Sequence, residues 1–189
     1  MKILVETSAR HIHLSQHDFE ILFGKNAKLT IRKSLSQPGQ FACNERVSII
    51  GPKNKIQSVP ILGPLRNQTQ VEISLTDARK LGLNVLIRDS GNLAGTSGCT
   101  LVGPMGELNI SDGVIAAKRH IHIDPKSAEN FNLKDEQYVK VKIYSEHRSL
   151  IFDDVVVRVN ENFSPAMHID TDEANAAGIN SNVYGEIIL

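Results

Sequence analysis

Arg119-His120-Ile121-His122-Ile123-Asp124 restates, with conservative changes, the phrase Arg10-His11-Ile12-His13-Leu14-Ser15 near the start of the chain. On a β-strand, residues i and i+2 share a face, so each His-x-His sets two imidazoles side by side. Imidazole is the commonest protein ligand for divalent transition metals, and two on one strand make half of a site. Exposed strands also carry such pairs without a metal. The weight therefore falls on the repetition and on the residues downstream of each copy.

Downstream of each copy lies one member of a second repeat. Val71-Glu72-Ile73-Ser74-Leu75-Thr76-Asp77-Ala78, closing at Gly82, aligns with Met167-His168-Ile169-Asp170-Thr171-Asp172-Glu173-Ala174, closing at Gly178. Glu72 thus matches His168. Four places now share one grammar: His13-Leu14-Ser15, Glu72-Ile73-Ser74, His122-Ile123-Asp124 and His168-Ile169-Asp170. Each is a possible ligand, then a branched apolar residue, then a residue that can start a helix. The chain reads as two similar halves, each offering His-x-His and one further ligand. The triplets are His11, His13 and Glu72, and His120, His122 and His168. Three N/O ligands leave a coordination position open, as a catalytic zinc requires. The competing reading is that duplication merely copied structural histidines.

The surrounding chain is β-rich. Short runs of strand-forming residues bounded by Gly, Pro, Asn and Asp cover Arg46–Ile50, Ser58–Leu62, Val85–Arg88, Cys99–Val102, Tyr138–Tyr144 and Phe152–Val159. Helical periodicity is confined to four short segments. Ser15 can cap Gln16–Phe23 before Gly24, and Asp124 with Pro125 opens Pro125–Phe131. Thr76 can begin a helix ending near Gly82, and Thr171 one ending near Gly178. Lys25–Cys43 has no counterpart in the second half and reads as an insertion, either a hairpin or a lid.

Composition excludes several functions. Over 189 residues, 21 Lys and Arg balance 21 Asp and Glu, which argues against a nucleic-acid or anionic membrane partner. No apolar run approaches the roughly 20 residues of a membrane span. The N-terminus runs straight into a strand-like segment without a signal-peptide pattern. Cys43 and Cys99 are far apart and read as small apolar residues in a reduced cytoplasmic protein. No Gly-x-Ser-x-Gly elbow or dinucleotide fingerprint is present, so nucleophilic serine or cysteine catalysis has no candidate. His17 and His147 fall outside the repeats and read as solvated surface residues.

Two other segments bear on chemistry. The turn Leu62-Gly63-Pro64-Leu65-Arg66 delivers a guanidinium six residues before Glu72, a planar fork of donors suited to phosphate. Most arginines are ordinary surface residues; nearness to a ligand residue singles this one out. Asp89–Gly98 is rich in glycine and hydroxyls and could form an anion-binding nest with Ser90. Taken alone, it reads better as a hairpin connection.

Together these phrases resemble the PduL-type phosphate propanoyltransferases, or phosphotransacylases. The resemblance rests on Ser8–Ser15, Pro38-Gly39-Gln40-Phe41-Ala42, Leu62-Gly63-Pro64 with Arg66, and Thr69–Ser74. Gly113–Ala117, Arg119–His122 and Met167–Ala176 extend it across essentially the whole chain. It implies a mainly β fold: two tandem β-barrels capped by short α-helices, with the active site between them. Residues 1–9 would join 118–189 in one barrel and 10–117 would form the other, with a small lid-like insert at about 25–43. The resemblance also implies two zinc ions, held by the two triplets already found from repetition. Other divalent transition metals would suit the same ligands. Arg66 would bind phosphate, with Ser90 assisting. Ser8, Lys33, Leu62, His168 and Asn175 stand where contacts to coenzyme A would fall. A basic residue expected just before the Leu-Gly-Pro turn is absent, since this chain has Val59-Pro60.

The implied reaction interconverts a short-chain acyl-CoA (propanoyl-CoA or acetyl-CoA) plus phosphate with acyl phosphate plus coenzyme A. The small-molecule substrates would be its only required partners, with neither nucleic acid nor membrane involved, and the family suggests a homodimer. No N-terminal targeting extension precedes Ser8, which favours a free cytoplasmic enzyme over one in a bacterial microcompartment. The rival readings are a two-metal phosphoester hydrolase and a non-catalytic barrel with structural metals.

Overall fold

The computed structural model describes residues 1–179 and 181–189. The chain divides into two compact units, Arg10–Ala117 and Met1–Ala9 with Lys118–Leu189. Strand β1 (Lys2–Thr7) opens the chain and belongs to the second of these. The central unit holds β2 (His11–His13), α1 (Gln16–Phe23), β3 (Ile31–Ser34), β4 (Phe41–Ile50), β5 (Lys55–Gly63), β6 (Gln70–Glu72), α2 (Leu75–Leu81), β7 (Leu86–Arg88), β8 (Ser97–Val102) and β9 (Glu107–Ala117). The other continues with β10 (His120–Ile123), α3 (Pro125–Phe131), β11 (Tyr138–Ile143), β12 (Leu150–Val159), β13 (Ala166–Ile169), α4 (Thr171–Ala177) and β14 (Val183–Ile188).

Each unit is a closed six-stranded barrel. In the central unit the ring runs β4-β5-β2-β6-β9-β8 and back to β4, with β3 added on β4 and β7 on β9. In the other it runs β11-β12-β10-β13-β1-β14 and back to β11. In that order the sense of pairing agrees at every junction. β2 and β10 each have one parallel neighbour, β5 or β12, and one antiparallel neighbour, β6 or β13. β6 and β13 in turn lie parallel to β9 and β1. The remaining junctions are antiparallel in both rings. The first strand of the chain therefore does for one barrel what β9 does for the other.

Alternation drives the strands and burial closes them. β11 reads Tyr-Val-Lys-Val-Lys-Ile, with Val139, Val141 and Ile143 buried. Each barrel has its own core, one around Ile121, Ile123, Val141 and Met167, the other around Ile12, Leu14, Ile61 and Val71. Closure leaves few free edges, which suits strands as short as β2 and β6. β9 turns from one partner to another at Gly113, whose φ is +110° and where a Cβ would lie 2.7 Å from the Thr69 carbonyl oxygen. Only glycine fits there.

The four helix starts obey the grammar of the sequence. Ser15, Ser74, Asp124 and Asp170 are all N-caps, each accepting the backbone N–H of the residue three positions on. Asp170 and Glu173 form a full capping box. The start expected at Thr76 moves back to Leu75, because the Ser74 hydroxyl takes the Asp77 N–H at 3.2 Å. Each middle residue of the four phrases (Leu14, Ile73, Ile123 and Ile169) is buried in a core. The ligand before it is thereby turned to the opposite face.

One expectation fails. Asp89–Gly98 is not a hairpin connection, because β7 and β8 do not pair with each other. Both pair with β9, β7 in parallel and β8 antiparallel. Lys25–Cys43 contains β3, which pairs antiparallel with the start of β4 across the turn at Leu35–Gln40.

Candidate functional site

In the central barrel, β2 and β6 are antiparallel with His11 opposite Glu72. Ile12 and Val71 point into the core, so His11, His13 and Glu72 share the other face. His11 Nε2 lies 3.4 Å from Glu72 Oε2, and His13 Nε2 lies 3.9 Å from Oε1. The two imidazoles meet edge to face with centroids 5.0 Å apart. One donor atom from each residue falls within 4.8 Å of the others.

The electrostatics of this triplet favour a cation. His13 is 3 % exposed. Burial, aided by His11 and Arg66, lowers its pKa well below the usual imidazole value and so favours the neutral ring. Burial alone would raise the Glu72 pKa, but His11, then His13 and Arg66, outweigh it and keep the carboxyl ionised. Neutral imidazole and ionised carboxylate are the protonation states that bind metal. A buried carboxylate facing two imidazoles is a donor set that fits zinc.

The other barrel repeats the arrangement. β10 and β13 are antiparallel with His120 opposite His168, and Ile121 and Met167 are buried behind them. The rings of His120, His122 and His168 have centroids 4.6 to 5.3 Å apart, and their donor atoms also gather within 4.8 Å. His120 Nδ1 sits 2.7 Å from the Lys118 carbonyl, a contact only N–H can make, which leaves the lone pair of the neutral ring on Nε2. Phe163 stacks on His122 at 4.0 Å. Three imidazoles suit zinc equally well.

Around Glu72 lies a polar network. Gln70, 1 % exposed, donates from Nε2 to Glu72 Oε1 and to Ser90 Oγ (2.8 Å), while its Oε1 accepts the Gly91 N–H at 2.8 Å. Ser90 Oγ also donates to Glu72 Oε1 at 3.4 Å. Arg66 Nη1 donates to Ser90 Oγ at 3.3 Å, and its backbone N–H donates to the Leu14 carbonyl at 2.9 Å. Thr69 Oγ1 accepts the Ser15 N–H and donates to Asp18, tying α1 to β6. Arg66 and His13 face a cleft of about 290 Å³, walled also by Pro38, Gly39, Gln40, Gly63 and Pro64.

The structure thus gathers His11, His13, Glu72, Arg66 and Ser90 in the central barrel. It gathers His120, His122 and His168 in the other. Lys33 is exposed on β3 and Leu62 half-buried on β5. Ser8 donates its N–H to the Ile169 carbonyl at 2.7 Å, next to His168, and Asn175 is exposed on α4. Gln70 was missed as a contributor from sequence. Its signal was its i+2 relation to Glu72, which places both on one face of β6.

Comparison with known proteins adds the chemistry. The family model described as phosphate propanoyltransferase matches residues 4–180. The chain is 54 % identical over 179 residues to the phosphate propanoyltransferase of Thermotoga maritima, covering 95 % of this chain and 85 % of that one. To the phosphate propanoyltransferase of Clostridioides difficile it is 52 % identical over 186 residues, covering 98 % and 88 %. To that of Shewanella putrefaciens it is 54 % identical over 172 residues, covering 91 % and 81 %.

Proposed function

The chain belongs to the phosphate propanoyltransferase family and is a phosphate acyltransferase, and from that premise we propose that it moves a short acyl group between coenzyme A and phosphate at a two-zinc site. The acyl group is propanoyl or acetyl. One zinc is assigned to His11, His13 and Glu72, the other to His120, His122 and His168. Bound zinc supplies Lewis-acid polarisation of an oxygen and stabilisation of a thiolate.

The reaction written out is direct. A phosphate oxygen attacks the thioester carbonyl carbon, a C–O bond forms, the C–S bond breaks, and coenzyme A leaves as its thiolate. Arg66 holds the phosphate through its fork of donors and offsets its charge. Ser90, within reach of the same guanidinium, adds a hydroxyl contact. Holding two reactants together contributes on the order of 7 kcal/mol or more to such a step. Ser8, Lys33, Leu62, His168 and Asn175 are the proposed contacts to coenzyme A.

The observation that supports this reading most is the shared cleft of Arg66 and His13. It sets the Arg66 guanidinium, the proposed phosphate contact, beside His13 of the proposed metal triplet. The buried thiols of Cys43 and Cys99, pushed up to about 11 and about 12 by burial, suit a reducing cytoplasm. Among the described residues no helix is long and apolar enough to cross a membrane. The test is free-thiol release from propanoyl-CoA and acetyl-CoA with and without phosphate. Phosphate-dependent release is expected; release independent of phosphate would contradict the assignment.

A further inference from the structure

The arginine that opens each His-x-His phrase has a task of its own. Arg10 grips Asp77 with two bonds, Nε to Oδ2 at 2.6 Å and Nη2 to Oδ1 at 3.1 Å. Arg119 Nε lies 3.0 Å from Glu173 Oε1. Asp77 is the third residue of α2 and Glu173 the third of α4, and each stands five positions after the third ligand, Glu72 or His168. The partners are 67 and 54 residues apart in sequence, yet the same positions pair in both barrels. The residue just before each His-x-His strand is thus tied to the first turn of the helix that follows the third ligand.

The energetics give the tie force. Asp77 is 5 % exposed, and a buried carboxylate without a counter-charge is strongly disfavoured. The bidentate fork sets direction as well as attraction. Glu173 is committed on its other oxygen to the Asp170 N–H at 3.0 Å, so the capping box of α4 fixes the carboxylate that Arg119 reaches. The Arg119 guanidinium also lies 5.3 Å over the Phe152 ring. Neither arginine is itself among the six ligand residues. Each charge is matched by a carboxylate, so it adds little repulsion to a cation nearby.

We propose that Arg10 and Arg119 are positioning residues, each holding the His-x-His pair and the third ligand of its own barrel in register through Asp77 or Glu173. The proposal rests on the two-metal reading above. Groups that hydrogen-bond a metal ligand directly carry about 10- to 100-fold in metal affinity; Arg10 and Arg119 act one step further out, so the effect expected is about tenfold. The test is competition of the zinc-loaded full chain with a chromophoric chelator, together with the visible spectrum of the cobalt-substituted protein. Arg10→Gln should weaken one of two sites by about tenfold and leave the other at its wild-type affinity, and Arg119→Gln should do the converse. Arg10→Lys, which keeps the charge and loses the fork, should recover part of the loss and of the cobalt spectrum. Asp77→Asn and Glu173→Gln are close in shape and read each clamp from its other end, should an arginine variant fail to fold. Unchanged affinities would overturn the proposal, and so would equal weakening of both sites by a single change. A wild-type chain that binds fewer than two ions overturns the metal reading beneath it instead.

Discussion

The two barrels are one design finished differently. Both set a His-x-His strand against an antiparallel strand that supplies the third ligand, and both start a helix soon after that ligand, capped two residues on. Their surroundings diverge. Six residues before the third ligand, the central barrel has Arg66 and the other has Asn162. Opposite the second histidine stands Gln70 in one and Ala166 in the other. The central triplet is embedded in a network with Arg66, Gln70 and Ser90, while the other has Glu6 Oε2 3.9 Å from His168 Nδ1 and Phe163 stacked on His122. Duplication left a three-residue His/Glu cluster in each barrel, and divergence placed Arg66 and Ser90 beside the central one. The difference predicts a division of labour, with the central site beside the phosphate.

That asymmetry can be broken in steps. The largest effect should come from Arg66→Ala, which should lower turnover by on the order of 10²–10³ or more while both metals stay in place. Asn162→Ala, its positional counterpart, should leave turnover within about twofold; thiol-release rates and metal content together check both. Next, Glu72→Gln should lower zinc affinity in the central barrel by more than about 100-fold, beyond what an outer-shell change costs, and leave the other ion bound. Competitive chelation reads this directly. Gln70→Ala removes support for Glu72, Ser90 and the Gly91 N–H at once. It should cost about 1–3 kcal/mol of stability and about tenfold in affinity at the same site, read by denaturant unfolding and by competition. The smallest effect is expected from Phe163→Ala, which should leave phosphate saturation unchanged and lower stability by about 1 kcal/mol from lost ring stacking.

How much of this was legible depends on range. The four phrases of ligand, apolar residue and cap were readable because strand alternation and N-capping act over three residues, and the copies reinforced one another. The alignment makes Ser74 a helix-start residue, while residue type alone puts the helix boundary at Thr76. The hydroxyl of Ser74 decided the point. The hairpin reading of Asp89–Gly98 failed because local turn chemistry says nothing of a third strand, β9, that both flanking strands prefer. β9 itself was unread as a strand, since Asp112 and Gly113 interrupt its alternation where it passes from one partner to another. The Arg10–Asp77 and Arg119–Glu173 pairs join residues far apart in sequence, and nothing local marks them. The two triplets that the structure brings together are readable from repetition; the bonds around them are not.

The central claim is that each barrel holds one metal ion through its own three ligands. Metal content by mass spectrometry on the wild type, Glu72→Gln, His168→Gln and the double variant tests it most directly. Two ions per chain are expected, then one, one and none, with all four proteins folded by circular dichroism. Two ions retained in either single variant, or none in the folded wild type grown with zinc, would contradict it.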